Sequence, residues 1–485
     1  KPGSEAAAAV VPGAPPAVPA PAPVNITYVH NTVKSILYLA PSASPVLLRV
    51  LEEQFPHKRL SAGVHEAYLR NLLCVLNYVP ALRAKLIPFV ITKLIDIDVE
   101  IRLEDEEEEE EEEEAEEEGE DDGAGSGPGG SGAAGAGATV EDAELTSAEA
   151  SRAMAEKLDL AMDLMFQYMA SWFRDSGAEE QQAMFRLLLS AFESAVLLTH
   201  RSKYTQFLVF FATSLDASFA DAFVGRLVDL SCGIDLRPPI VRQSAAAYLA
   251  SFLSRAAFVH ESTLRSALYY LLHWVHGYLD RFEAALKDAV ERAESASEGG
   301  GGGGGGAQQA ALARAREALG RLQEDGAMAY SRVAPVLSAE DAARVPGPGA
   351  SAHAIFYAMC QCVLYTLCFK AGALCASDGG REFLSLWRWP RILNSVLDPL
   401  KACPHSVARE FVRTAAVLRL APARVLHAHQ RRWRQQPAAA AADEDESGDA
   451  AEGGEDGALA ASPPAGADSP SREADGEAAA EGGEA

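Results

Sequence analysis

From about residue 25 onward, apolar positions recur three and four residues apart, the spacing that lines one face of a helix. Leu47, Leu48, Leu51 and Phe55 form one such run; Tyr68, Leu72, Val75, Leu76 and Val79 form a second; Leu82, Leu86, Ile87, Val90, Ile91 and Leu94 form a third. A shorter helix around Thr32 to Leu39 precedes them. Pro45 opens the first run, Pro56 closes it and Pro80 parts the second from the third, because proline cannot donate the amide hydrogen that an interior turn needs. The same period returns with Leu158, Met162, Met165, Phe166 and Met169, and with Phe185, Leu188, Leu189, Phe192 and Val196. It predicts further helices over 203–213, 217–231, 239–256 and 261–281, then over 356–369, 383–397 and 406–418. Alternating runs of Val, Thr and Tyr and Asn-Gly turns, the signals of strands and hairpins, are almost absent. The fold class is all-α.

Short helices separated by proline turns fit stacked hairpins better than one compact bundle. The stretch PPIVRQSAAAYLASFLSRAAFV, Pro238 to Val259, carries the most specific pattern. Val241, Ala245 and Leu249 stand at i, i+4 and i+8, with Tyr248 and Phe252 completing an inward face; small Ala residues allow a neighbouring hairpin to approach closely, and Arg242 can reach polar groups between hairpins. This V-R-x-x-A-A-x-x-L arrangement after two prolines resembles the second helix of a HEAT repeat. The expectation is an α-solenoid of degenerate HEAT-like helical hairpins, whose continuous core leaves an extended surface for partners.

Composition divides the chain into blocks. Apolar residues make up 48%, but alanine tracts inflate that figure. Residues 96 to 122 hold twenty acids against one arginine, a net of −19, and residues 437 to 485 hold fourteen against one, a net of −13. The whole chain carries −27, so everything else sums to +5. The acidity therefore belongs to two segments, and long like-charge runs repel themselves and stay solvated. These shifts delimit a disordered Ala/Pro-rich lead (1–24), a first HEAT-like block (25–99), a disordered acidic and Gly-rich linker (100–150), a second block (151–281), a low-complexity insertion (282–350), a third block (351–420), and a disordered tail that is basic and then acidic (421–485). No apolar run is expected to reach the ~18 residues that cross a bilayer, and the N-terminus lacks the apolar core of a signal peptide. The expectation is a soluble intracellular chain with no membrane partner. Because it begins at Lys1, an N-terminal part is expected to be missing.

No catalytic or cofactor motif emerges: there is no G-x-S-x-G, phosphate-binding loop, H-E-x-x-H or EF-hand pattern, and the eight glycines Gly299 to Gly306 lack the Lys-Ser/Thr that a phosphate loop needs. Neither an enzyme nor a cofactor is expected. His273 and His276 share a helix face but have no further ligands in sequence, so an amphipathic surface or a partly buried pair outweighs a metal site. The Met-rich stripe at Met162, Met165 and Met169 is core packing in the same way. Seven cysteines (Cys74, Cys232, Cys360, Cys362, Cys368, Cys375 and Cys403) sit mostly inside helical apolar patterns, as reduced buried thiols do. Arg431, Arg432, Trp433 and Arg434 form a basic aromatic cluster, but the acidic tail begins nine residues later and competes for those charges, so direct sequence-specific nucleic-acid binding is not expected. Three Ser-Pro pairs remain, at Ser44, Ser462 and Ser469. Ser42 and Ser44 fall in a turn before a helix, where serine is most often an N-cap; phosphorylation there would add a charge of about −2 to an accessible surface.

Six landmarks, in order, resemble the family of RNA polymerase I-specific transcription initiation factors, the TIF-IA family. They are KSILYLAPSASPVLLRVLEEQFPHKRLSAGVHEAYLRNLLCVLNYVPALRAKLIPFVITKLIDIDVEI, KLDLAMDLMFQYM, FADAFVGRLVDL, PPIVRQSAAAYLASFLSRAAFV, AIFYAMCQCVLYTLCFK and ILNSVLDPLKACPHSVAREF. The resemblance covers roughly residues 26–99, 155–281 and 353–420. It implies a non-catalytic HEAT-repeat protein of the nucleus and nucleolus that binds RNA polymerase I through its stalk region and bridges it to the promoter-bound core selectivity factor. It further implies a phosphorylation-regulated polymerase surface at Ser42, Ser44 and Ser61, and a promoter-factor contact at Leu253, Ser254, Arg255, Ala256 and Ala257. The alternative is a generic HEAT scaffold in another nuclear or transport complex. Two departures from the family are the helices expected before Asn25 and a C-terminal Phe/Pro/Asp-containing motif, neither of which is recognisable here.

Overall fold

The computed structural model describes residues 26–120, 147–199, 202–233, 237–299, 306–322 and 326–435. The lead 1–24, residues 121–146 of the linker, the residues from 436 onward and the Ser-Pro pairs at Ser462 and Ser469 lie outside them. Among the described residues all regular structure is helical, with no strand.

The first block contains α1 (Ile26–Leu39), α2 (Ser44–Glu53), α3 (Ala62–Tyr78) and α4 (Arg83–Glu120). The second and third predicted runs supply its core, with Leu72, Val75, Leu76, Leu86, Ile87, Val90, Ile91 and Leu94 all buried, while Leu47, Leu48, Leu51 and Phe55 of the first run are only partly buried against it. Helix α4 continues past the expected end of the block, through the acidic run to Glu120. In the second block come α5 (Ser147–Asp175), α6 (Ala178–Ser194), α7 (Phe207–Ser214), α8 (Ala217–Cys232) and α9 (Pro239–Arg255). Helix α5 packs on α3 and α4, where Arg83 donates to the Tyr168 hydroxyl at 3.0 Å and its guanidinium lies 3.6 Å from the centre of the Trp172 ring. Each following helix packs on its near neighbours in sequence, α6 on α7, α7 on α8 and α8 on α9, as stacked hairpins do.

Helix α9 joins two halves of the solenoid. Val241, Ala245, Leu249 and Phe252 are buried as the period predicts, and Phe252 packs edge-on to Phe210 and Phe223 at 4.9 and 5.0 Å. Tyr248 is half-buried, edge-on to Phe192, with its hydroxyl on the Val196 carbonyl at 3.2 Å. Ala246, Ala250 and Leu253 are buried as well, because the other side of α9 receives the helix Ala354–Cys375 across an excursion of almost a hundred residues. Arg242 does bridge hairpins: its Nε donates to the Ser231 carbonyl, in the last turn of α8, at 2.9 Å.

The excursion differs from the sequence expectation. Residues 282–350 are low in complexity but largely folded: α10 (Glu261–Gly299) runs far past residue 281, followed by α11 (Gly306–Gly320), α12 (Ala327–Val333) and α13 (Ala339–Arg344). Leu286, Val290, Leu312, Ala315, Ala318, Leu322 and Val333 bury their side chains there, and Arg292 pairs with Asp341 at 2.6 Å. Ala, Arg and Glu are strong helix formers, and a few leucines at helical spacing suffice to pack short helices on α10. Gly326, the N-cap of α12, turns the chain at φ 55°, so near the Asn394 carbonyl that a Cβ would approach it to 3.0 Å.

The third block holds α14 (Ala354–Cys375), α15 (Asp378–Leu386), α16 (Trp389–Leu393), α17 (His405–Leu418) and α18 (Ala423–Gln435). The order therefore extends beyond residue 420, because Val425, Leu426 and His429 on α18 are buried. A second correction concerns α14: the segment Ser351–Cys375 is, by length and composition, apolar enough to cross a membrane. In this fold that apolarity serves packing on several sides, with Phe356, Met359, Cys360, Val363, Leu364 and Leu367 buried among α9, α10 and α17.

Candidate functional site

The serine surface sits in the first block, where α2 and α3 begin. Proline at position 41 starts a single 3₁₀ turn, Pro41–Ala43, which sets Ser42 fully outward. Ser44 is the first residue of α2 rather than its N-cap; the cap position is Ala43, and the Ser44 hydroxyl donates backward to the Pro41 carbonyl at 3.0 Å. The N-cap reading of these serines is thereby replaced by a hydroxyl that braces the turn. Ser61 does occupy an N-cap, that of α3, but its side chain makes no capping bond; its carbonyl instead accepts from the Val64 and His65 amides at 3.1 and 3.3 Å.

The three serines do not form one cluster. Phe55, just beyond the end of α2, packs against His65 and Tyr68 on α3, and the Tyr68 hydroxyl donates to the Leu51 carbonyl at 2.5 Å. Ser61 thus lies at the C-terminal end of α2 and Ser42 and Ser44 at its N-terminal start, about 15 Å of helix away. Burial pushes the Tyr68 hydroxyl up to about 12 and lowers His65 from its ordinary value. Around both ends large apolar side chains face solvent, among them Tyr38, Leu39, Val46, Leu60 and Val64.

The second site lies at the end of α9. Leu253 is fully buried and Ala256 nearly so, which corrects their assignment as contact residues: both belong to the core beneath the surface. Ser254 is half-buried and bonded to the Ala250 carbonyl at 2.8 Å; Arg255 and Ala257 are exposed. Arg255 donates to Ser251 Oγ at 2.9 Å, and Ser251 Oγ reaches Gln206 Oε1 at 3.0 Å, tying the end of α9 to the start of α7.

Of the histidine pair on α10, His273 is exposed and His276 half-buried. His273 stacks on Tyr269 with centroids 6.0 Å apart, and His276 stacks on Trp387 at 5.8 Å. Burial, with Arg391 and Arg388 nearby, pulls His276 down to about 4. No group of three or more metal-ligating side chains occurs among the described residues. Cys360, Cys362 and Cys403 are buried, while Cys74, Cys232, Cys368 and Cys375 are partly exposed; burial raises the Cys403 thiol to about 12.

Sequence reasoning missed the acid that pins the loop leading into α7. Asp98 on α4, 1% exposed, accepts from Ser202 Oγ at 2.9 Å and from the amides of Lys203, Tyr204 and Thr205 at 3.1, 2.9 and 2.9 Å. Its signal was present: an acid standing in the apolar pattern between Leu94 and Ile101.

Comparison with known proteins follows the same outline. The model of the family "RNA polymerase I specific transcription initiation factor RRN3" matches residues 11–295 and 330–457. The RNA polymerase I-specific transcription initiation factor rrn3 of Schizosaccharomyces pombe is 26% identical over 414 residues, 81% of this chain and 58% of that protein. The corresponding factor of Mus musculus is 28% identical over 387 residues, 79% of this chain and 50% of the other. The chain thus spans about half the length of the curated relatives it matches. The crystal structure of RNA Polymerase I Transcription Initiation Factor Rrn3 shares the fold at 18% identity, with a TM-score of 0.53 over 86% of this chain and 67% of that one.

Proposed function

The chain belongs to the family of RNA polymerase I specific transcription initiation factors, RRN3, and on that footing we propose that it acts in transcription initiation by RNA polymerase I. The observation that carries this reading is a family match running through all three helical blocks. The role is one of binding: the chain offers an extended helical surface and no catalytic motif that we recognise.

We assign the polymerase-facing surface to the turn at Ser42 and Ser44, with the polymerase stalk as its counterpart, and the contact with the promoter-bound core factor to Ser254, Arg255 and Ala257. The accessible Ser42 supports a phosphorylation switch, since a charge of about −2 on an apolar docking surface opposes association. Such a factor works in the nucleus and concentrates in the nucleolus.

Affinity purification of the intact chain from nuclear extract tests the reading. RNA polymerase I subunits should be enriched; consistent recovery of a different complex instead would establish the generic scaffold. Replacing Ser42 and Ser44 together by Asp should weaken recovered polymerase at least tenfold, and unchanged recovery would remove the phospho-switch while leaving the binding role intact.

A further inference from the structure

Beside the end of α9 lies an open groove of about 680 Å³, within the range of peptide and ligand sites. Its floor and walls are apolar and come from four parts of the chain: Ile101 of α4, Leu158 and Phe166 of α5, Phe207 and Phe211 of α7, and Phe258 after α9. Phe166 and Phe211 meet at 5.2 Å across the floor. Asp159 and Arg255 supply its charged groups. At the mouth, Tyr204 and Phe258 are each 40% exposed, so two aromatic rings stand ready for a partner that neither α5 nor α7 covers.

The dimensions select the shape of the occupant. On α5 the lining residues run from Ala155 to Phe166, about 16 Å of helix, which matches the reach of apolar residues at i, i+3 or i+4, and i+7 on an incoming helix. Charge selects its polarity. Ile101 sits on the same helix as the acidic run, which begins three residues later: Glu104 to Glu120 holds fifteen acidic residues and no basic one. A partner helix seated against Ile101 therefore has an intense negative field at one end.

We infer that this groove docks an amphipathic helix of about three turns from a partner protein, with large apolar side chains on one face and a cluster of Lys or Arg at the end that lies against the acidic run. The inference rests on the groove and its charge, and it holds whether or not the polymerase reading above does. The held loop 202–206, pinned by Asp98, forms part of the wall and keeps Tyr204 and Phe207 in place.

Selection of 16-residue peptides from a helix-biased display library on the full chain tests it, followed by fluorescence anisotropy of the enriched peptides. Enriched sequences should carry apolar residues at i, i+3 or i+4, and i+7 and a basic cluster at one end. Their affinity should fall at least tenfold on Phe258→Asp and at least fivefold when the nine glutamates Glu106 to Glu114 are changed to glutamine. Tyr204→Asp repeats the test from another part of the wall should Phe258→Asp lose its helical circular dichroism. No enrichment, enrichment of acidic peptides, or undiminished binding to either the groove variant or the glutamine variant overturns the proposal.

Discussion

Replacing Asp98 by Ala should release the loop that joins α6 to α7. In the native fold one carboxylate meets three consecutive backbone amides and a hydroxyl, all within 3.1 Å. Alanine leaves the amides of Lys203, Tyr204 and Thr205 without that acceptor, and Thr205 is itself buried. A buried donor left unpartnered costs about 1–3 kcal/mol, and bonds to a charged group are at the upper end. The loop can relax towards water at its Tyr204 end, so the terms do not add fully, and the loss should be about 3–5 kcal/mol. Asp98→Asn keeps one acceptor oxygen and loses the charge, which should cost about half as much. Urea unfolding followed by circular dichroism should show the midpoint falling by about 1 M for Ala, and hydrogen exchange should show amides 203–205 losing protection before those of α9. A loss below about 1 kcal/mol with those amides still protected would refute the clamp and leave the loop held by side-chain packing alone. Because Tyr204 and Phe207 line the groove, the same variant should weaken groove-binding peptides even where α5 stays folded.

Three further outcomes follow from the geometry. Leu253→Ala should destabilise by about 2–5 kcal/mol, the range for a fully buried leucine, whereas Arg255→Ala should stay under about 1 kcal/mol; equal effects in thermal melts would contradict the assignment of one to the core and the other to the surface. His276 is held near 4 against an ordinary 6.5, so the unfolded chain binds the proton first and the stabilising contribution of neutral His276 is present above 6.5 and lost as pH falls towards 4. The groups facing it are Trp387, Arg391, Arg388, His273 and the opposing Asp280; with solvent screening allowed for, the wild type should lose about 1–2 kcal/mol more than His276→Gln across that window, and parallel pH profiles would count against it. Thiol labelling with a disulfide reagent under native conditions should modify Cys74 and Cys375 well before the buried Cys360, Cys362 and Cys403, as read by mass spectrometry of peptides, and uniform labelling would show that the third block opens readily.

What the sequence made legible was what depends on near neighbours along the chain. Leu72, Val75, Leu76, Leu86 and Leu94 are core residues because helical spacing puts them on one face, and that relation needs no knowledge of the partner helix. Proline turns, likewise local, marked the hairpins. Residues 282–350 failed the same test for a composition reason: alanine is counted as filler in a disordered tract and as core in a helix, and only the packing of Leu286, Leu312 and Leu322 decides between them. The site divides along the same line. Ser42 lies in the outward turn expected between the first helices, but the contact at Leu253 and Ala256 came from the family resemblance and from no period in the sequence, and α9, covered on two sides by α8 and α14, buries both.

The groove lay beyond that horizon for a further reason. Its lining comes from positions 101, 155–166, 204–214 and 255–258, and no period in the sequence relates them; only the stacking of α4, α5 and α7 and the pinning of their loop by a single acid bring them together. Each of its aromatic residues, taken alone, has the spacing of an ordinary core residue. They differ from core because α7 is only eight residues long, too short to cover the whole flank of the much longer α5, so the apolar stripe of α5 continues past the helix that should cover it. A solenoid that pairs a long helix with a short one leaves an uncovered apolar stretch, and here that stretch is lined by Ile101, three residues before the acidic run of α4. A recognition surface can therefore arise from a mismatch in helix length, with the acidic run setting the charge of the partner it accepts.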